Sequence, residues 1–148
     1  MSNKTINLLL ADDDEDDRLL FKDAIDSLQM NTQLVMVKNG LELLEYLELE
    51  GSVLPDMIFL DLNMPVMGGF ECLSRIRSNP RLQNLSVAIY STSSSKKDIE
   101  ESLIKGANIY INKPNDFGAL KSLMKRIICT NWQYINSGFD TDSFILSL

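Results

Sequence analysis

Met57-Ile58-Phe59-Leu60-Asp61-Leu62-Asn63-Met64-Pro65 is the stretch on which the fold turns. Four apolar side chains run without a break into one carboxylate. A short apolar run bounded by turn signals reads as a buried strand. Asp61 falls where that strand stops, because Pro65, Gly68 and Gly69 take the chain out of a sheet. In open α/β sheets, ligands bind outside the carboxyl ends of the strands. A strand that delivers one acid to that end therefore marks a site, and the other strands decide what joins it.

Upstream, residues 6–11 read as a first buried strand, followed by an unbroken acidic run from Asp12 to Asp17. Leu20, Phe21, Ala24, Ile25 and Leu28 keep the 3-4 spacing of a helix with one apolar face. Residues 34–37 form a short strand. Asn39-Gly40 turns the chain into a second helix, lined by Leu41, Leu44 and Leu47 and closed by Gly51. Downstream of Asp61, Phe70, Leu73 and Ile76 mark a third helix that ends at Asn79-Pro80. Residues 87–90 read as a fourth strand, and the hydroxyl run Ser91 to Ser95 follows it. Ile99, Leu103 and Ile104 belong to a fourth helix stopped by Gly106. Residues 107–111 read as a fifth strand ended by Asn112-Lys113-Pro114. Phe117, Leu120, Met124, Ile127 and Ile128 mark a last helix. Five alternations of strand and helix imply a parallel sheet with helices on both faces.

Composition bounds the function. The 148 residues suggest one domain, 45% hydrophobic, with a core of ample size. A net charge of -7 argues against a general nucleic-acid binder. Histidine is absent, so this chain supplies no imidazole catalysis. Cys72 and Cys129 sit on different expected helices and read as reduced thiols. No secretory leader or membrane span is evident, which points to the cytoplasm.

The strand ends bring together Asp12 and Asp13 from the first strand, Asp61 from the third, Ser91 from the fourth and Lys113 from the fifth. At ~5 Å and an effective dielectric near ~20, each carboxylate pair costs roughly 3 kcal/mol. Lysine compensates one charge. A hard divalent cation suits the rest, and Mg²⁺ is usually completed by a phosphate oxygen. The constellation reads as a phosphoryl site in which one carboxylate acts as nucleophile. Asp14, Glu15, Asp16 and Asp17 read instead as helix-start acids that complement the macrodipole.

With these residues in place, the chain resembles the receiver domain of two-component response regulators, of the single-domain kind. The resemblance covers about residues 5–129. It rests on Leu10-Ala11-Asp12-Asp13-Asp14, Leu60-Asp61-Leu62-Asn63-Met64-Pro65, Ser91 and Lys113-Pro114. It implies a flavodoxin-like (βα)5 fold of strand order 2-1-3-4-5, with Asp61 as phosphoacceptor. Asp12, Asp13, Asp61 and the backbone carbonyl of Asn63 would hold Mg²⁺. Lys113 would pair with Asp61, aimed by a cis bond to Pro114. Ser91, rather than Thr92, would be the switching hydroxyl, and Tyr110 the aromatic whose ring turns inward after it. Ser93 and Asn63 border the phosphoryl site, where such positions tune hydrolysis.

The implied function is a phosphorylation-controlled switch, not an enzyme in its own right. A histidine kinase or phosphotransfer protein would supply the phosphoryl group, docking near the start of the first helix. The fourth helix, fifth strand and fifth helix would contact a downstream protein. Residues 1–129 form the receiver and 130–148 a tail, too short for a DNA-binding module. That tail carries Trp132, Tyr134, Phe139 and Phe144, so the last helix is expected to reach about Ile135 and residues 144–146 to pack on the body. A homodimer through the tail is left open. Two other readings compete. A receiver-like module could act without phosphorylation, although the acids and lysine are intact. A Mg²⁺-dependent small-molecule phosphohydrolase would want an acid two residues after its nucleophile, where this chain has Asn63.

Overall fold

The computed structural model describes residues 4–129 and the backbone of Ile145–Leu146. Among the described residues, six strands and five helices alternate: β1 Ile6–Ala11, α1 Glu15–Ser27, β2 Thr32–Val37, α2 Gly40–Glu48, β3 Met57–Leu60, α3 Gly69–Ser78, β4 Val87–Ser91, α4 Lys96–Ile104, β5 Ile109–Asn112, α5 Phe117–Ile128 and β6 Ile145–Leu146. The sheet is parallel throughout, in the order β2-β1-β3-β4-β5-β6. Its first five strands have the 2-1-3-4-5 order that the resemblance implies. The short β6 pairs beside β5, with Tyr110 opposite Ile145 and Ile111 opposite Leu146. The expected extension of the last helix to Ile135 lies outside the described residues, as does Phe144.

Strand side chains alternate between faces, and the two faces make two cores. Leu9, Ala11, Ile58, Leu60, Val87, Ile89 and Tyr110 point to the face covered by α2 and α3. Leu8, Leu10, Met57, Phe59, Ala88, Tyr90, Ile109 and Ile111 point to the face covered by α1 and α5. All four residues of β3 and all five of β4 are buried. That is why both read as continuous apolar runs rather than alternating ones.

Several sequence assignments shift. Leu41 is exposed, and Leu43 takes its place in the core. Asn39 caps α2 by accepting from the Glu42 N–H, and the buried residues of the helix are Gly40, Leu43, Leu44 and Leu47. Cys72 is fully buried on α3 whereas Phe70 is only half-buried. Burial pushes the Cys72 thiol up to about 12, and Cys129 is exposed; both are free. Ile104 is 83% exposed and contributes nothing to the core. β5 begins at Ile109, two residues later than expected, and just ahead of it the Asn108 Oδ1 accepts from the Val87 N–H and from Arg77.

Arg77 ties three segments together. Its guanidinium donates to the carbonyls of Gly106, Leu85 and Gln83 and to Asn108 Oδ1, at 2.6–3.1 Å. Burial lowers the pKa of this group, so the hydrogen bonds must compensate for lost hydration. Arg77→Met is expected to leave buried acceptors unpaired and to cost about 2–3 kcal/mol. Urea unfolding measures it; a loss below about 0.5 kcal/mol, the size of an ordinary surface substitution, would show the clamp to be dispensable.

Candidate functional site

Asp12, Asp61, Ser91 and Lys113 each stand at, or one residue beyond, a strand end, Asp13 and Asn63 follow two and three residues past theirs, and Tyr110 lies within β5. The sheet's hydrogen bonding runs one residue past the strands: Asp12 N–H donates to Val37 O, Asp61 N–H to Ala11 O, and Lys113 N–H to Ser91 O. These bonds fix the backbone from which the carboxylates and the lysine project. Gly69 closes the edge from below. A Cβ there would run into the Asp61 carbonyl oxygen and lie 2.9 Å from the Leu62 Cα, so only glycine lets α3 start this close.

Asp12, Asp13 and Asp61 bring one oxygen each within 4.8 Å of one another. Asp12 is fully buried, Asp61 nearly so, and Asp13 is exposed. Asp12 is held from both sides: its Oδ1 accepts from the Asp14 N–H at 3.0 Å, and its Oδ2 accepts from Lys113 Nζ at 2.8 Å. Asp61 Oδ1 receives a long bond from the Asn63 N–H, 3.4 Å. Burial pushes the Asp61 carboxyl up to about 6, and the charges of Asp12 and Asp13 add to the effect; Lys113 and the Asn63 N–H oppose it. At neutral pH most of the population is ionised. Three hard oxygen ligands with unbalanced negative charge fit Mg²⁺ or Mn²⁺ on donor chemistry alone.

Lys113 forms the expected ion pair with Asp61, at 3.5 Å, but two features were not expected. First, the described residues hold no cis peptide bond, so Lys113–Pro114 is trans. The lysine is aimed instead by β5 and by its partners. Second, its short contacts are to Asp12 at 2.8 Å and Asp17 at 2.9 Å, while Asp61 is 3.5 Å away. Burial disfavours the ammonium, but the bonds to Asp12 and Asp17 outweigh it and raise the lysine pKa. Asp17, read from sequence as a helix-start acid, thus belongs to the site. The signal that could have found it is spacing: Asp17 is five residues beyond Asp12, on the first turn of a helix that begins at the same edge. Tyr90 was also missed. Its ring lies 5.2 Å from Lys113 Nζ and stacks edge-on against Phe21, joining the lysine to the core.

Ser91 is buried as the last residue of β4, and Thr92 is exposed. The Ser91 Oγ accepts from the Ser93 N–H at 3.0 Å. The Ser93 carbonyl accepts from Tyr110 OH at 2.8 Å and from Asn112 Nδ2 at 3.1 Å, and Ser93 Oγ donates to Asp98 at the start of α4. The Tyr110 ring is completely buried, in the inward position.

The loop after β3 carries strain. Val66 has φ +68° and is 77% exposed. A β-branched residue in this region is disfavoured by its own backbone. Val66→Gly is expected to raise stability by about 1 kcal/mol, read as a higher urea midpoint at unchanged slope. An unchanged or lower midpoint would mean that the side chain makes compensating contacts.

A doubly wound sheet that gathers an acidic cluster, one buried lysine and a hydroxyl at its carboxyl edge defines the receiver class of α/β proteins. The response regulator receiver domain family matches residues 8–125, and this chain belongs to that family. The response regulator Rcp1 of a Synechocystis species is 31% identical over 130 residues, spanning 85% of this chain and 86% of its own. The probable methanogenesis regulatory protein FilR2 of Methanothrix harundinacea is 32% identical, spanning 81% and 79%. The crystal structure of Rcp1 in its Mn(2+)-bound form superposes with a TM-score of 0.78 at 27% identity, covering 85% of this chain and 96% of the other. The phosphorylated cyanobacterial phytochrome response regulator RcpA gives the same TM-score at 32% identity, covering 84% and 91%. These relatives are regulators rather than classical enzymes. Among the described residues, no helix is long and apolar enough to cross a membrane.

Proposed function

We propose that this chain is a phosphorylation-controlled signalling switch with Asp61 as its phosphoacceptor. The observation that carries the reading is the Asp12–Asp13–Asp61 cluster with Lys113 buried against it. A histidine kinase or a histidine-containing phosphotransfer protein would be the donor. An Asp61 carboxylate oxygen attacks phosphorus, the phosphorus–nitrogen bond of the donor breaks, and an acyl phosphate forms on Asp61. Asp12, Asp13, Asp61 and the Asn63 carbonyl would hold Mg²⁺, which when bound supplies positive charge beside the transferring group. Lys113 adds the remaining positive charge. Phosphorylation places about -2 where about -1 stood. Ser91 is the hydroxyl drawn toward that charge. Its movement passes through Ser93 to Tyr110 and to Asp98 of α4, because Ser93 bonds all three: its N–H to Ser91, its carbonyl to Tyr110 and its hydroxyl to Asp98. Coupling therefore runs through hydrogen bonds to a ring that is already inward, rather than through inward rotation of an exposed ring. Output is by protein contact through α4, β5 and α5.

The test is phosphate incorporation from acetyl phosphate, followed by intact mass, with and without Mg²⁺. Gain of one Mg²⁺-dependent, base-labile phosphate is the expected result. No incorporation at millimolar Mg²⁺ would withdraw the reading in favour of a receiver used as an unphosphorylated interaction module.

A further inference from the structure

We propose that Asp17 is a latch on Lys113: a positioning residue that holds the ammonium back from Asp61 and slows phosphoryl uptake until it lets go. The proposal rests on the reading of Asp61 as phosphoacceptor and Lys113 as its charge partner. An ammonium has three donors. Two are committed to short, charge-assisted bonds with Asp12 and Asp17, and the distance to Asp61 exceeds hydrogen-bond length. The third faces Asp61 across an ion pair of 3.5 Å, and drawing the ammonium in to hydrogen-bond distance of a phosphoryl group there lengthens one of the two short bonds.

Burial says which. The Asp12 side chain is wholly buried, so leaving it without the lysine would strand a charge away from water. The Asp17 side chain is 36% exposed, and water or a partner's cation can replace the lysine there. The ordinary duty of Asp17 is already filled by others. Asp14 caps α1 by accepting from the Asp17 backbone N–H, and Glu15 and Asp16 supply first-turn negative charge. The Asp17 carboxylate is therefore free to act on Lys113, and it also adds a fourth negative charge to a site about to gain another. Arg18 offsets part of this, donating to the Asp12 carbonyl at 2.8 Å. Of the groups holding Lys113, Asp17 is the one that a docking protein can reach from solvent.

A half-exposed carboxylate that shares one ammonium with the acceptor is worth about a tenfold change in rate. The experiment compares initial rates of phosphate uptake from acetyl phosphate at fixed Mg²⁺ in the native chain, Asp17→Asn, Asp17→Ala and Asp16→Asn. Asp16→Asn removes an equal charge from the same helix turn. Uptake about tenfold faster in Asp17→Ala, less so in Asp17→Asn, and changed under twofold in Asp16→Asn is the expected pattern. The Lys113 ζ-nitrogen resonance should shift in both Asp17 variants and not in Asp16→Asn. Loss of a merely structural contact would lower the melting temperature without accelerating uptake. Unchanged or slower uptake in the Asp17 variants would overturn the latch, and so would an equal gain in Asp16→Asn, which would assign the effect to the general field. No uptake by the native chain would instead remove the phosphoacceptor reading, and the latch with it.

Discussion

Asp61→Asn is expected to lose phosphate uptake altogether and, in metal-free buffer, to fold more stably than the native chain. The two effects share one cause. Asparagine keeps the shape of the side chain but has no anionic oxygen to attack phosphorus, so uptake should fall at least about 100-fold, to the detection limit. It also removes a charge that the fold holds at a cost. Burial first, then Asp12 and Asp13, raise the Asp61 carboxyl from 3.8 to about 6. A shift of that size corresponds to on the order of 3 kcal/mol. The folded state binds this proton more tightly than the unfolded state does. The penalty is therefore absent below the unfolded value, grows between about pH 4 and pH 6, and is complete at pH 7. Urea unfolding in chelated buffer should show Asp61→Asn ahead at pH 7, with the gap closing as the pH falls through 6 toward 4. Added Mg²⁺ should close it at pH 7 by stabilising the native chain. A variant that still takes up one phosphate would move the acceptor to another residue. A gap that is flat with pH would show that Asp61 is not strained by its neighbours.

Lys113→Met is expected to be the most destabilising single change at the site in the absence of metal. The lysine touches Asp12, Asp17 and Asp61, and only 9% of its side chain is exposed. Removing the cation leaves Asp12 buried and unpaired, with Asp61 beside it. Breaking a buried pair from one side costs about 3–5 kcal/mol. Methionine fills the volume and still packs on Tyr90, so the loss reports charge rather than a cavity. Millimolar Mg²⁺ should return part of it, since a cation bound only by the folded state adds stability in proportion to the logarithm of its concentration. Phosphate uptake should fall as well, because the transferring group loses positive charge. A loss under about 1 kcal/mol in chelated buffer would place Lys113 among ordinary surface ion pairs, which contribute that much or less.

Much of this was legible because sheet and site obey short-range rules. Buried parallel strands must be apolar on both faces, so residues 6–11, 57–60 and 87–90 announce themselves without context. The acids, the hydroxyl and the lysine follow at once because strands must end where the chain turns polar. The misjudged details are those where one residue's choice depends on a distant neighbour. Leu41 and Leu43 both fit an apolar helix stripe; the contact of Gly40 with the Met67 carbonyl, 27 positions away, decides between them. Nothing in the local sequence singles out Arg77, whose partners at Leu85 and Gly106 reach it only through the fold. Val66 gives no sequence sign of its positive φ.

The order of strand and helix, the apolar cores and the identity of the residues at the carboxyl edge were decided by local chemistry, since hydrophobic period and turn residues act within a few positions. Which carboxylate the lysine grips was decided only in three dimensions. Lys113 is separated from Asp12 by 101 positions and from Asp17 by 96, and no pattern in the chain ranks those distances against the 3.5 Å to Asp61. Electrostatic energy varies with separation over ångströms and with burial over a single atomic layer, and both arise only when β1, β3 and β5 are set side by side.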